Sequence, residues 1–265
     1  MRDRTKEDAM KRLAVSPLSP AALIVALVAV LSGCDQPKPR CTAGVGGFAA
    51  KYTLKPGQQA CPDRHGDPLQ GEILGLSRYN PLRGGEDDVQ DPTKASLVIL
   101  SQTLGDIAVD PLLKDEAHEP HSLGNFVSTE PDEDDVCTVP TLSAAEQEVP
   151  AMGASEAIHI KYEWSNVRLH VTAAYPGTQM VGDLTYTNND CTASYSVTGL
   201  WPAVSCAGKD ANGNAVADPA LCDPVADPAA GRATGSGINP DLKERVACDP
   251  DILLCVLTAP PDALK

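Results

Sequence analysis

Nine cysteines carry the densest potential chemistry in this 265-residue chain. Eight of them, Cys41, Cys61, Cys137, Cys191, Cys206, Cys222, Cys248 and Cys255, fall at long and irregular spacings. An even set of thiols can close disulfides if the chain folds in an oxidising compartment. The competing chemistry, tetrahedral zinc, favours C-x-x-C ligand pairs, and the chain has none. Disulfides are therefore the reading. Eight cysteines permit roughly a hundred pairings; proximity along the chain favours Cys41 with Cys61 and Cys248 with Cys255.

Oxygen and imidazole ligands come next. Asp210, Asn212 and Asn214 alternate as in a calcium loop, and Asp218 and Asp223 follow. An EF-hand would place Gly at loop position six and Glu at twelve, where this chain has Ala215 and Leu221. A solvated turn is the expectation, with calcium the alternative and no cofactor otherwise expected. His118 and His121 have H-x-x-H spacing beside Asp115, Glu116 and Glu119, but Pro120 between them disfavours the helix such a metal pair needs. His159 and His170 are expected on a polar strand face. The run Glu130 to Asp135 reads as a solvated acidic loop. G-x-S-x-G, H-E-x-x-H, the phosphate-binding loop and the dinucleotide fingerprint are all missing. No catalytic residue is expected. Trp164, Trp201 and the strand tyrosines could line a carbohydrate site, but they suit a β core better.

The ninth cysteine has a different setting. Arg2, Arg4, Lys6, Lys11 and Arg12 precede the apolar run Ala21 to Leu31, the layout of an export signal. As a helix that run spans roughly 16 Å, about half a hydrocarbon core, so it is too short to cross a membrane. It ends in Leu31-Ser32-Gly33-Cys34, which resembles the lipobox cut by lipoprotein signal peptidase. The resemblance implies a signal peptide over residues 1–33 and a mature chain that begins at an acylated Cys34. Two or three acyl chains anchor a protein stably without a spanning segment. Met10 offers a second start that leaves the mature chain unchanged.

The mature chain carries a net charge of −17, against −15 for the whole. Such acidity excludes nucleic acid, whose phosphates demand clustered Lys and Arg. It also repels anionic headgroups, leaving lipid as the membrane contact. Aromatic residues make up 4% of the chain, while Pro (23) and Gly (21) are abundant, so a modest core with long loops is expected. Residues 34–40 form the lipidated N-terminus and tether. Residues 41–265 form a disulfide-stapled β domain, with 199–265 as a possible loop-rich subdomain.

The β elements follow from period-two alternation. Ile158, Ile160, Tyr162 and Trp164 share one parity, and Val167, Leu169, Val171 and Ala173 the other. A turn at Ser165-Asn166 would explain the flip by pairing Trp164 with Val167 and Tyr162 with Leu169; a bulge in one long strand is the alternative. After the turn Tyr175-Pro176-Gly177, a hairpin about the loop Thr187 to Asp190 would set Leu184 opposite Ala193 and Gly182 opposite Tyr195. Phe48 to Leu54, Glu72 to Tyr79 and Ala95 to Thr103 read as strands that cover this meander. Short helices are expected after Asp110-Pro111, Ser143 and Asn239-Pro240. Residues 207–240 read as loop, in which the recurrent Asp-Pro dipeptides start turns. The fold class is mainly β, an antiparallel sandwich or barrel-like meander with short helices, long Pro/Gly/Asp-rich loops and disulfides.

The layout as a whole is similar to the MlpA-type lipoproteins of myxobacteria: L-S-G-C, then Cys41 and FAAKYTL (48–54), then a Cys-rich β domain closing with CDPDILLCVL (248–257). The resemblance implies a cell-envelope lipoprotein and no catalytic residues. The expected role is non-enzymatic, by interaction or as structure, with an envelope protein or polysaccharide as partner. A calcium or carbohydrate binder is the second reading and a secreted hydrolase the third. Asp35 beside Cys34 would favour the inner membrane under enterobacterial sorting, a rule that is not universal. The outer membrane, facing the periplasm or the cell surface, is the expectation.

Overall fold

Alternation along the chain builds the sheet, and the computed structural model describes it over residues 39–84, 89–91, 93–113, 115–151 and 156–264. Cys34, the expected signal peptide over residues 1–33 and the Met1 or Met10 start lie outside the described residues. In β1 (Gly46–Leu54), Phe48, Ala50 and Tyr52 are buried on one face while Lys51 and Thr53 lie on the other. Strands β2 (Gly71–Tyr79), β3 (Ser96–Ser101), β4 (His121–Asn125), β5 (Val136–Thr141) and β6 (Ala145–Val149) follow, and then the long β7 (Ile158–Val171), β8 (Pro176–Asn188) and β9 (Cys191–Leu200); β8 is buried on both faces from Gly177 to Gly182.

All nine strands belong to one antiparallel sheet, ordered β4-β3-β2-β1-β9-β8-β7-β5 with β6 also on β7. The two ends of this path meet. The Val127 N–H donates to Thr138 O at 3.0 Å, Ser143 N–H to Leu123 O at 2.9 Å and Glu146 N–H to Glu119 O at 2.9 Å. The sheet is thereby closed into a barrel, which removes the exposed edges that an open sheet would present. Gly124 makes the closure possible. A Cβ there would stand 2.6 Å from Thr141 O and from Val139 Cγ1.

The barrel interior is filled by side chains. Phe48, Leu74, Leu97, Ile160, Tyr162 and Tyr186 are all fully buried. One helix, α1 (Gln102–Val109), leaves the end of β3 and adds Leu104 and Ile107 to this core. Its N-cap is Ser101, whose Oγ accepts from Leu104 N–H at 3.1 Å.

Beyond β9 the chain makes a second, smaller layer. The hairpins β10 (Ala207–Lys209) with β11 (Ala215–Ala217), and β12 (Val246–Asp249) with β13 (Leu254–Leu257), are joined by 3₁₀ turns at Pro219–Cys222, Pro228–Ala230 and Pro240–Arg245. Each of these turns is capped by the side chain before its proline, Asp218, Asp227 and Asn239. Leu254 and Val256 of β13 pack on Ala49 and Ile73, on the outer face of β1 and β2. Leu200, Ile238, Leu242 and Leu257 form a core of their own.

Several expectations need correction. Ile158 to Val171 is a single strand, and the pairs Trp164–Val167 and Tyr162–Leu169 do not form. Asn166, at φ +51°, inserts an irregularity between Ser165 and Arg168 that flips parity without reversing the chain. In the next hairpin Leu184 faces Tyr195 and Gly182 faces Val197. The turn is the tight Asn189-Asp190, so the register moves by two residues and every side chain keeps its face. Ser143 starts no helix, because the following residues pair with β7 as β6. Asp110 closes α1 where a helix start was expected. Residues of the first half do not form a separate covering layer, since β1 pairs directly with β9.

Candidate functional site

All eight cysteines of the described region are bonded to one another, as Cys41–Cys137, Cys61–Cys191, Cys206–Cys248 and Cys222–Cys255. Neither pairing favoured by proximity forms. The Cys41–Cys137 bridge ties the segment before β1 to β5, and Cys61–Cys191 ties the β1–β2 loop to the start of β9. The other two bridges staple the C-terminal layer. Among the described residues the only cluster of three or more metal-ligating groups is Cys206, Cys222 and Cys248, whose sulfurs are held in these disulfides.

The Asp210 loop is the tip of the β10–β11 hairpin. Asp210 Oδ1 accepts from the N–H groups of Asn212 and Asn214, each at 2.8 Å, and Oδ2 accepts from Asn214 Nδ2 at 3.0 Å. These donors hold the Asp210 carboxyl below its usual range. Asp218 Oδ1 caps Ala220 N–H at 3.0 Å, and Asp223 Oδ1 accepts from Val225 N–H at 2.9 Å. The oxygens thus organise their own turns.

Each of the four candidate histidines rests against a different neighbour. His118 Nδ1 sits 2.6 Å from Asp115 Oδ2, a hydrogen bond that raises its pKa. His121 begins β4 beside Glu119, and His159 Nε2 is 2.7 Å from Glu146 Oε1. His170 stacks on Tyr175, and partial burial lowers its pKa. The acidic run forms a loop organised by Asp132, whose Oδ1 accepts from Asp134 and Val136 N–H. Trp164 is buried between Tyr52 and Tyr162. Trp201 is half-buried against Gly44, and its Nε1–H donates to Val45 O at 3.1 Å.

The structure also assembles a site that motif reading missed, at one end of the barrel. Glu72, Leu74 and Leu76 share the inward parity of β2, so Glu72 is the one acidic group on that inner wall. Its Oε1 accepts from the Tyr162 hydroxyl at 2.6 Å and the Tyr52 hydroxyl at 3.1 Å. Its Oε2 accepts from Thr103 N–H in the first turn of α1, at 2.9 Å. Desolvation raises the pKa of Glu72 despite these three donors. Burial and the Glu72 charge push both tyrosines well above the usual phenol range. Period-two parity carried back from Leu74 would have located this carboxyl.

Glu72 is reached from a cavity of about 590 Å³, whose rim brings Asp63, Asp106 and Asp251 together with Arg64 and His65. Such a carboxyl can hold a proton or anchor a cation. Its three protein donors equally explain it as the anchor that ties α1 and two core tyrosines to β2.

The family model described as MlpA matches residues 46–202, from the first residue of β1 to just past β9, so the matched segment is the barrel. A protein of Myxococcus xanthus named "Putative lipoprotein MlpA" is 31% identical over 241 residues, covering 87% of this chain and 88% of that protein. No solved structure matches the chain. With more than half the chain matched by the family model and the barrel inside the match, the protein belongs to the MlpA family.

Proposed function

We propose that the protein is a cell-envelope lipoprotein, moored to a membrane by acyl chains on Cys34, whose barrel acts by binding or as a structural component and not as an enzyme. One observation carries the reading: the eight downstream cysteines are used up in four mutual bridges, none of which involves Cys34. Disulfides of this number belong to an exported chain. A ninth cysteine, set at the end of an apolar signal segment and outside every bridge, is free for thioether formation. The outer membrane is the proposed location, and an envelope protein or polysaccharide the proposed partner.

Intact mass spectrometry of the protein from its membrane, before and after reduction, tests the reading. The expected masses are those of residues 34–265 plus acyl chains, with a gain of eight hydrogens on reduction. A Cys34→Ser variant that is still processed and still partitions with membranes would remove the anchor. Eight free thiols in the native protein would remove the exported location.

A further inference from the structure

The barrel carries a second depression, on its outer face, whose charge runs against that of the chain. Its floor is a cross-strand row: Arg168 of β7 faces Val181 of β8, Val181 faces Thr198 of β9, and Thr198 faces Lys51 of β1. A parallel row sets Asp183 against Ser196 and Ser196 against Thr53. The far wall is apolar, made by Leu257, Pro260 and Leu264 of the C-terminal layer, and the groove encloses about 420 Å³. That volume suits a small organic molecule.

The charges in the groove are not equivalent. Lys51 Nζ is held by the buried carboxylate of Asp249 at 2.7 Å. Asp183 is held by Lys55 Nζ at 2.7 Å and Asn166 Nδ2 at 2.8 Å. Arg168 is half-buried and makes no hydrogen bond or contact ion pair among the described residues, although its charge helps to lower the pKa of Asp183. In a chain of net charge −15, an acidic hollow such as the barrel end needs no explanation. A hollow that holds a half-buried guanidinium among hydroxyls is the exception, because the donors of Arg168 are open to the groove and meet no acceptor at hydrogen-bond distance among the described residues, Asp183 acting on it only through its field. A guanidinium's planar fork matches a carboxylate.

We propose that this groove binds a small amphipathic carboxylate, its anionic group on Arg168 and the hydroxyls of Thr198 and Ser196, its apolar body against Leu257, Pro260 and Leu264. The inference is independent of the lipid anchor and of the barrel-end carboxyl.

The test uses the full acylated chain in detergent, titrated with 4-methoxybenzoate and with the neutral, isosteric 4-methoxybenzamide at low salt. Binding is read by calorimetry and by the rise in melting temperature. The benzoate should bind roughly tenfold or more tightly than the amide, the size expected for a charge-assisted hydrogen bond. Arg168→Gln should abolish that preference, and Arg168→Lys, which keeps the charge but loses the fork, should retain part of it. Partition of the probes into detergent is the same for all three proteins and cancels. Equal affinity for benzoate and amide, undiminished benzoate binding by Arg168→Gln, or no binding of either probe would each overturn the proposal.

Discussion

Cys248 and Cys255 stand directly opposite each other across the β12–β13 ladder, yet each is bonded to a cysteine outside that hairpin. Facing residues in an antiparallel pair are close enough to bridge. A bridge between them would only have closed a short hairpin on itself. The bonds to Cys206 and Cys222 instead close segments of 42 and 33 residues, and they fasten the hairpin to the loop-rich region before it. Longer closed loops remove more freedom from the unfolded chain.

That argument sets an order among the bridges. The Cys61–Cys191 bond closes 130 residues and should stabilise by about 5 kcal/mol, against about 4 kcal/mol for the 33-residue Cys222–Cys255 loop. Paired Cys→Ala variants, compared by chemical denaturation, should lose stability in that order. Non-reducing peptide maps should recover the four long-range pairs and no Cys248–Cys255 peptide.

Glu72→Ala should cost about 2–5 kcal/mol, because it leaves the Tyr52 and Tyr162 hydroxyls and Thr103 N–H facing no acceptor. The pH dependence has a definite sign. The pKa of Glu72 is raised on folding, so its contribution is fully present below the unfolded-state value and is lost as pH rises through the folded-state one. Melting temperatures measured from pH 4 upward should therefore fall more for the wild type than for Glu72→Gln. Parallel curves would show that the carboxyl is not desolvated.

Barrel closure rests on Gly124. Gly124→Ala drives a Cβ into Thr141 O and Val139, and a loss of about 2–4 kcal/mol is expected. Hydrogen exchange should show β4 amides losing protection before those of β8 and β9. An unchanged melting temperature would mean that the strands do not meet there.

The Asp210 turn should behave as a self-contained one. Asp210→Ala removes three hydrogen bonds at an exposed hairpin tip and should cost about 1 kcal/mol or less. Millimolar calcium should leave the wild-type melting temperature where it is; a rise of several degrees that Asp210→Ala abolishes would make the loop a cation site.

Which features were legible in the chain, and which were not, depends on the range over which each is written. Alternation at Phe48, Ala50 and Tyr52, or at Ile160, Tyr162 and Trp164, is a local property, so strands, buried faces and the mainly β class followed from the residues alone. The Asn239 cap and the turn starts at Asp218 and Asp227 act within two or three positions and were readable in the same way, whereas the cap signatures at Asp110 and Ser143 were overridden by the end of α1 and the pairing of β6. The basic residues before an apolar run, the resemblance of L-S-G-C to a lipobox and the even set of thiols are also local in this sense, and they set the expected address.

Long-range choices were not written that way. Each cysteine is chemically the same as the others, and only the closed barrel brings Cys61 to Cys191 across 130 residues. The meeting of β4 with β5 and β6 depends on the summed twist of nine strands. Glu72 acquires its raised pKa from burial under elements far from it in sequence, against the opposing pull of the hydrogen bonds from Tyr162, Thr103 and Tyr52. Arg168 comes to line a groove only when β1, β9, β8 and the C-terminal layer are laid beside it. Residue types fix what each group can do; the distances that decide whether it does so exist only after the chain has closed on itself.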